Sequence, residues 1–158
     1  MKLRRYVPPY KQKNGSDDCG PTCVRMVINS FLPREQRHPK KRFGKGRKTK
    51  ESLKRMIENL GFHFSEISGQ AEEDSRRFLR EAIRKNRPVI LSCRSYFKYY
   101  KRDSHYMVLK GIDKKYIYVN DPYPEKPTKI DIDDFVITER PKRETRWGRT
   151  RWAIAVYK

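Results

Sequence analysis

Apart from the short run "FHFSEI", the apolar residues of this chain change period near Pro88, and that change limits the folds open to it. Before Pro88 they recur at helical spacing. Residues 18 to 31 read as a helix, with Asp18 as a candidate N-cap and Pro21 tolerated in the first turn. Cys23, Val24, Met26, Val27, Ile28 and Phe31 cover more than one face of it, which predicts a central, buried helix ended by Pro33. A second helix is predicted over 49–60, where Leu53, Met56, Ile57 and Leu60 follow the i, i+3, i+4, i+7 pattern and Gly61 marks a stop. A third covers 72–86, with Phe78, Leu79, Ala82 and Ile83 facing inward. After Pro88 the runs "PVILSC", "HYMVLKGI", "YIYVND" and "WAIAVYK" read as strands separated by turns such as "DKK" and "DPYP", and "FHFSEI" is a short strand between helices. Helices first and strands afterwards predict an α+β fold with a mainly antiparallel sheet.

The chain has 158 residues, a length that fits one domain spanning 1–158 and needs no disulfides to bury a core. Its three cysteines, Cys19, Cys23 and Cys93, are an odd number at spacings that fit no tetrahedral zinc site, so no metal and no cofactor are expected. Residues 1–10 hold no apolar run of the signal-peptide kind, and no stretch approaches ~20 apolar residues. A cytoplasmic protein without a membrane span is the expectation, and free thiols persist there.

Charge is the second constraint. Lys and Arg number 39 against 19 Asp and Glu, a net +20. Such an excess bears on partners, whether nucleic acid or an acidic protein, and says little about fold. It concentrates in "PREQRHPKKRFGKGRKTK", which has no apolar period and reads as a basic loop or insertion at about 33–50, mobile or an inserted arm. Lys40, Lys41, Arg42, Arg47 and Lys48 there, with Arg146 and Arg149 in "RETRWGRTRW", are the candidate polyanion-binding residues. The stretch "CRSYFKYYKRDSHY" interleaves aromatic and basic residues as a stacking surface would. Trp152 opens a strand and reads as core, whereas Trp147 reads as exposed.

Chemistry centres on Cys19, at the start of the first helix. His105 opens one strand and Asp121 closes the next. If these strands form a hairpin across "DKK", His105 and Asp121 stand at one end of the sheet, within reach of a helix N-terminus packed there. A helix N-terminus favours thiolate over thiol. A histidine beside it can take and return the proton, and a carboxylate on the far ring nitrogen holds the imidazole in place. The Cys19 backbone N–H and the Gln12 side-chain amide are candidate oxyanion donors, and Gly20 would let a substrate backbone approach. Each residue has a plainer reading: a buried structural thiol, a core histidine, an Asp-Pro turn, a loop glutamine. Asn120 rivals Asp121, but alternation along a strand turns it to the other face. Cys23 and Cys93 read as core.

The segments "PPYKQKNGSDDCGPTCVRMV", "HYMVLKGI" and "VNDPY" together resemble the papain-like bacteriocin-processing peptidases, which cleave double-glycine leaders, and their free-standing relatives. "LKRMIENLGF" and "REAIRKNRPVIL" extend the resemblance over most of the chain. Gln12, Cys19, His105 and Asp121 fall on that family's motif positions, with Gln12 seven residues before Cys19 where six is commonest. The resemblance implies a papain-like fold and a thiol hydrolase that cleaves a peptide or isopeptide bond of a peptide or protein substrate. Two alternatives stand beside it. One is a basic nucleic-acid- or virion-associated protein that uses the fold as a scaffold. The other is a papain-like acyltransferase.

Overall fold

The structure, a computed structural model, describes residues 1–13, 15–93, 105–123, 128–136, 147 and 151–158. Helix α1 runs Cys19–Asn29, α2 Lys50–Asn59, α3 Glu72–Arg84 and α4 Ile132–Val136. Strands are β1 His63–Ile67, β2 Val89–Cys93, β3 His105–Ile112, β4 Tyr116–Asn120, β5 Lys129–Asp131 and β6 Ala153–Tyr157. They form a six-stranded sheet in the order β1-β6-β2-β3-β4-β5, every neighbouring pair antiparallel. The α+β, mainly antiparallel expectation holds, and the hairpin across "DKK" joins β3 to β4.

Strand alternation divides the core in two. Val89, Leu91, Cys93, Met107, Leu109, Ala153 and Ala155 face one side and pack with Leu79, Ala82 and Ile83 of α3 and Phe135 of α4. Ile90, Tyr106, Val108, Ile154 and Val156 face the other, against α1 and against Leu53 and Ile57 of α2. β2 and β3, buried on both faces, therefore read as near-continuous apolar runs and not as alternating ones.

Local signals fix the helix ends. Thr49 caps α2, its hydroxyl accepting the Ser52 N–H at 3.1 Å. Gly61, at φ 82°, turns the chain out of α2 while the Phe62 N–H donates to the Ile57 carbonyl. Three acids, Glu72, Glu73 and Asp74, occupy the first turn of α3, where the helix dipole favours them.

Three features depart from the sequence reading or extend it. The 33–50 segment is held down along α1 and is no free arm. Two short 3-10 turns, Arg34–Gln36 and Lys40–Phe43, shape it, and Phe43 is buried in the α1-side core. Asn29 brackets His38 with two hydrogen bonds. One aromatic residue in a charged run was too sparse a pattern to show this. Residues 1–13 cross the β3–β4 side of the sheet. Leu3 N–H donates to the Lys110 carbonyl, Asn120 Nδ2 to the Val7 carbonyl, and Gln12 N–H to the Pro122 carbonyl. Trp147 is fully buried, against the expectation of exposure. Its ring stacks on Phe135 with centroids 5.6 Å apart, and its Nε1 donates to the Trp152 carbonyl at 3.1 Å. The charged residues around it suggested surface, but a large ring with a satisfied N–H fills the space between α4 and the start of β6.

Trp147→Ala is expected to cost about 3–5 kcal/mol of folding stability, chiefly from the cavity left behind. Tyr6→Ala, at a ring 64% exposed, should stay within roughly 0.5 kcal/mol. Denaturant unfolding followed by fluorescence measures both, and similar values would contradict this packing.

Candidate active site

Pairing between β3 and β4 sets the site. Val108 lies opposite Asn120 and Leu109 opposite Val119. Continued three residues toward the end of the sheet, that register puts Tyr123 across from His105 and Asp121 diagonally across on the same side. Asn120 falls on the other side, where its amide holds the Val7 carbonyl at 3.0 Å. The side chains follow this parity. His105 Nε2 lies 2.8 Å from Asp121 Oδ1, both fully buried. The Tyr123 ring stacks on the imidazole with centroids 4.0 Å apart and planes 2° off parallel. The Tyr123 N–H donates to the same Asp121 oxygen at 2.9 Å. Because a carboxylate accepts, Nε2 carries a proton in this contact.

Lys11 closes the turn from outside. Its ammonium donates to the Asp121 carbonyl at 2.8 Å and the Tyr123 carbonyl at 3.3 Å. Neither Lys11 nor Tyr123 was singled out from the sequence. Tyr123 could have been found by carrying the β3–β4 register past Asp121. Lys11 had no signal beyond its closeness to Gln12.

Cys19 begins α1 and is 7% exposed. Burial pushes its thiol above the ordinary value, and the charge of Asp17 adds to the rise. Backbone amides of Tyr106, Gly20 and Cys19 itself pull the other way, so the sulfur sits beside the residue that follows His105. The expected thiolate-favouring donors are present, but desolvation outweighs them. One turn later the buried Cys23 thiol is pushed well up, chiefly by burial and then by Cys19, Asp121 and Cys93. The first turn of α1 therefore lies over the end of the sheet that holds His105 and Asp121. Cys23 and Cys93 are buried, as expected.

Gln12 also reaches this end, 3% exposed, with its backbone tied to Pro122. Its Nε2 donates to the Ser16 carbonyl at 2.5 Å, which engages one of two amide protons. Gly20 is closely packed. A Cβ there would lie 3.1 Å from Leu53 Cδ2 and 3.3 Å from Lys48 Cβ.

Of the basic residues, Lys40 sits 3.7 Å from the Asp18 carboxylate, and Lys41, Arg42 and Arg47 are exposed. Lys48 is half-buried, its carbonyl accepting the Tyr106 hydroxyl at 3.2 Å. Arg146, Arg149 and most of the aromatic stretch before His105 lie outside the described residues. Among the described residues no group of three or more His, Cys, Asp or Glu side chains is arranged to hold a metal ion, and no helix is long and apolar enough to cross a membrane.

Solved structures share this architecture at low identity. The peptidase domain of Streptococcus ComA, a bifunctional ABC transporter of a quorum-sensing pathway, is 18% identical, with a TM-score of 0.60 over 99% of this chain and 96% of that one. A putative C39-like peptidase from Bacillus anthracis is 16% identical, with a TM-score of 0.57 over 99% and 97%. A double-glycine-motif protease from an AMS/PCAT transporter, solved in complex with its leader peptide, is 19% identical, with a TM-score of 0.54 over 99% and 96%. No curated protein matches the chain. The model of the Peptidase_C39 like family matches residues 4–152, so the chain belongs to that family of cysteine peptidases.

Proposed function

We propose that the protein is a peptidase that hydrolyses a peptide bond through an acyl-enzyme on Cys19. The observation that carries this reading is the fully buried 2.8 Å contact between His105 Nε2 and Asp121 Oδ1, at the end of the sheet where α1 begins with Cys19. A buried imidazole with one nitrogen fixed on a carboxylate presents its other nitrogen in a single tautomer, which suits proton transfer to and from a nucleophile.

In this reading His105 Nδ1 takes the Cys19 proton as the sulfur attacks the carbonyl carbon of the substrate. The carbonyl π pair moves onto oxygen, where the Cys19 N–H and the second Gln12 amide proton donate to it. Collapse breaks the C–N bond, and His105 returns its proton to the departing amine. A thioester remains on Cys19. His105 then takes a proton from the attacking water, and the C–S bond breaks to release the acid and restore the thiol. Asp121 and the stacked Tyr123 hold the imidazole plane throughout, and Tyr123 favours the transient imidazolium with its ring face.

Burial of Cys19 makes the resting state a neutral thiol, with thiolate formed only as His105 accepts the proton. The sign follows from a raised value: at a given pH the thiolate fraction is below that of a free thiol. Iodoacetamide labelling read by mass spectrometry should therefore modify Cys19 before Cys23 or Cys93, with a rate still climbing above about pH 8.5. A flat rate between about pH 6 and pH 8 would indicate a preformed thiolate–imidazolium pair and overturn the neutral resting state.

Variant turnover on a pool of quenched fluorescent peptides separates the roles. Cys19→Ala and His105→Ala should abolish hydrolysis. Asp121→Asn and Tyr123→Leu should leave reduced activity, and Tyr123→Phe should keep most of it. Gln12→Ala should lower kcat by about 100-fold or more if its amide serves the oxyanion. Unchanged kcat with a lower Tm would instead assign Gln12 to the Ser16 turn alone. Full activity of Cys19→Ala would sink the peptidase reading.

A further inference from the structure

The strand pair that carries the site also carries a bulge. Pairing between β3 and β4 shifts between Leu109 and Gly111, which leaves Lys110 as the extra residue. Its carbonyl turns away from β4 and accepts the Leu3 N–H at 2.8 Å. Gly111 makes room for that approach, since a Cβ would lie 2.9 Å from Lys2 Cγ and 3.0 Å from the Met1 carbonyl. An open cleft of about 320 Å³ results, lined by Lys2, Arg5, Tyr6, Lys110 and Tyr118 among others.

Three cations share this cleft, and among the described residues none of them pairs with a carboxylate. Lys110 is half-buried, and its ammonium is held below the usual range by burial and by the charges of Lys2 and Lys11. Like charges gathered and partly desolvated with no ion pair of their own oppose folding, and the Asp113 carboxylate behind Tyr118 is taken up by that ring's hydroxyl at 2.6 Å. An anion that arrives from outside relieves that cost, so the arrangement favours a ligand more than an empty surface does.

The N-terminal segment runs from this cleft to the candidate site, its Leu3 N–H donating to the Lys110 carbonyl and its Gln12 N–H to the Pro122 carbonyl. Lys11, whose charge bears on Lys110, is the residue that grips the Asp121 and Tyr123 carbonyls. Val7 lines the cleft and accepts from Asn120, the neighbour of Asp121. A polypeptide with its scissile bond at Cys19 can thus lay a flanking segment along Lys11 toward Lys110 and Lys2. The aromatic rings argue for carboxylates over bases. One face of Tyr118 is covered by Lys2 at 4.5 Å, and one face of Tyr6 by Arg37 at 5.5 Å. A stacking platform for successive bases needs open ring faces, whereas carboxylates need only the cations.

We propose that this cleft, lined by Lys2, Arg5 and Lys110, binds an acidic segment of the polypeptide substrate and guides its scissile bond to Cys19. The proposal rests on the peptidase reading, and it names the substrate class.

Fluorescence anisotropy of a fluorescein-labelled oligoglutamate peptide tests it, with a labelled oligothymidylate of matched charge as comparison. A Cys19→Ala background reads binding without turnover, so failure of the chemistry and failure of the cleft show separately. Binding should weaken with salt, and Lys2→Gln with Lys110→Gln should weaken it about tenfold. Lys41→Gln with Arg42→Gln and Arg47→Gln, on the basic loop, should weaken it less than about threefold. Lys2→Arg with Lys110→Arg keeps the charges and should keep the binding, and the Gln pair should melt no lower than its parent, since it relieves repulsion. An equal or larger loss from the loop variant overturns the proposal. So does unchanged binding in the Gln pair, or oligothymidylate binding that is tighter than that of the peptide and lost with the same two lysines.

Discussion

Opposing Val108 to Asn120 across the β3–β4 hairpin decides, a few residues further along, which side chains His105 meets. A slip of one residue would turn Asn120 toward the histidine and send Asp121 to the opposite face. What resists the slip is apolar burial. Met107, Leu109, Ile117 and Val119 pack toward α3, Val108 toward α1, and each is almost wholly removed from water. The chemistry at the rim of the sheet is thus held in register by aliphatic residues that never touch it. The same hairpin tolerates its one irregularity at Lys110, where the N-terminal segment takes over the carbonyl that β4 gives up.

Burial also shapes the electrostatics. His105 and Asp121 are fully enclosed, an arrangement that is stable only while each satisfies the other. Tyr123 covers the imidazole on one face and its amide shares the Asp121 oxygen, so one residue contributes both an aromatic wall and a hydrogen bond. Cys19 stands in a setting where desolvation raises the thiol and helix amides lower it. Of the two, desolvation is the larger, so the thiol stands above its ordinary value.

Much of this was readable from residue order. The helix-to-strand change at Pro88, the stop at Gly61 and the hairpin across "DKK" are local signals, and the elements formed where they pointed. The juxtaposition of His105 with Asp121 was legible because a hairpin register converts sequence spacing into distance. What was not legible depends on contacts remote in sequence. β5 has three residues, too few to show a period. The N-terminal segment is ordered by Lys110, Asn86 and Asn120, each at least 81 positions from its partner there. Phe43 anchors a loop whose composition advertises only solvent, and Trp147 is buried within a run of charges. Gly20 looked like an opening for substrate because its neighbours suggested chemistry, while the atoms that need its small size belong to Leu53 and Lys48.

Asp18 occupies the position from which a carboxylate usually caps its own helix, yet it makes no cap to α1. Its backbone, at φ −85° and ψ 15°, lies outside the extended region in which the side chain folds back over the first turn. One carboxylate oxygen accepts from Gly46 at 2.7 Å, and the other faces Lys40. The basic loop has therefore drawn away the side chain that would otherwise satisfy the leading amides of α1. A helix end left uncapped keeps hydrogen-bond donors in reserve, and here that reserve opens onto the Cys19 sulfur. The docking of a remote, highly charged loop and the anion-holding capacity of the helix end are, through one aspartate, the same structural event.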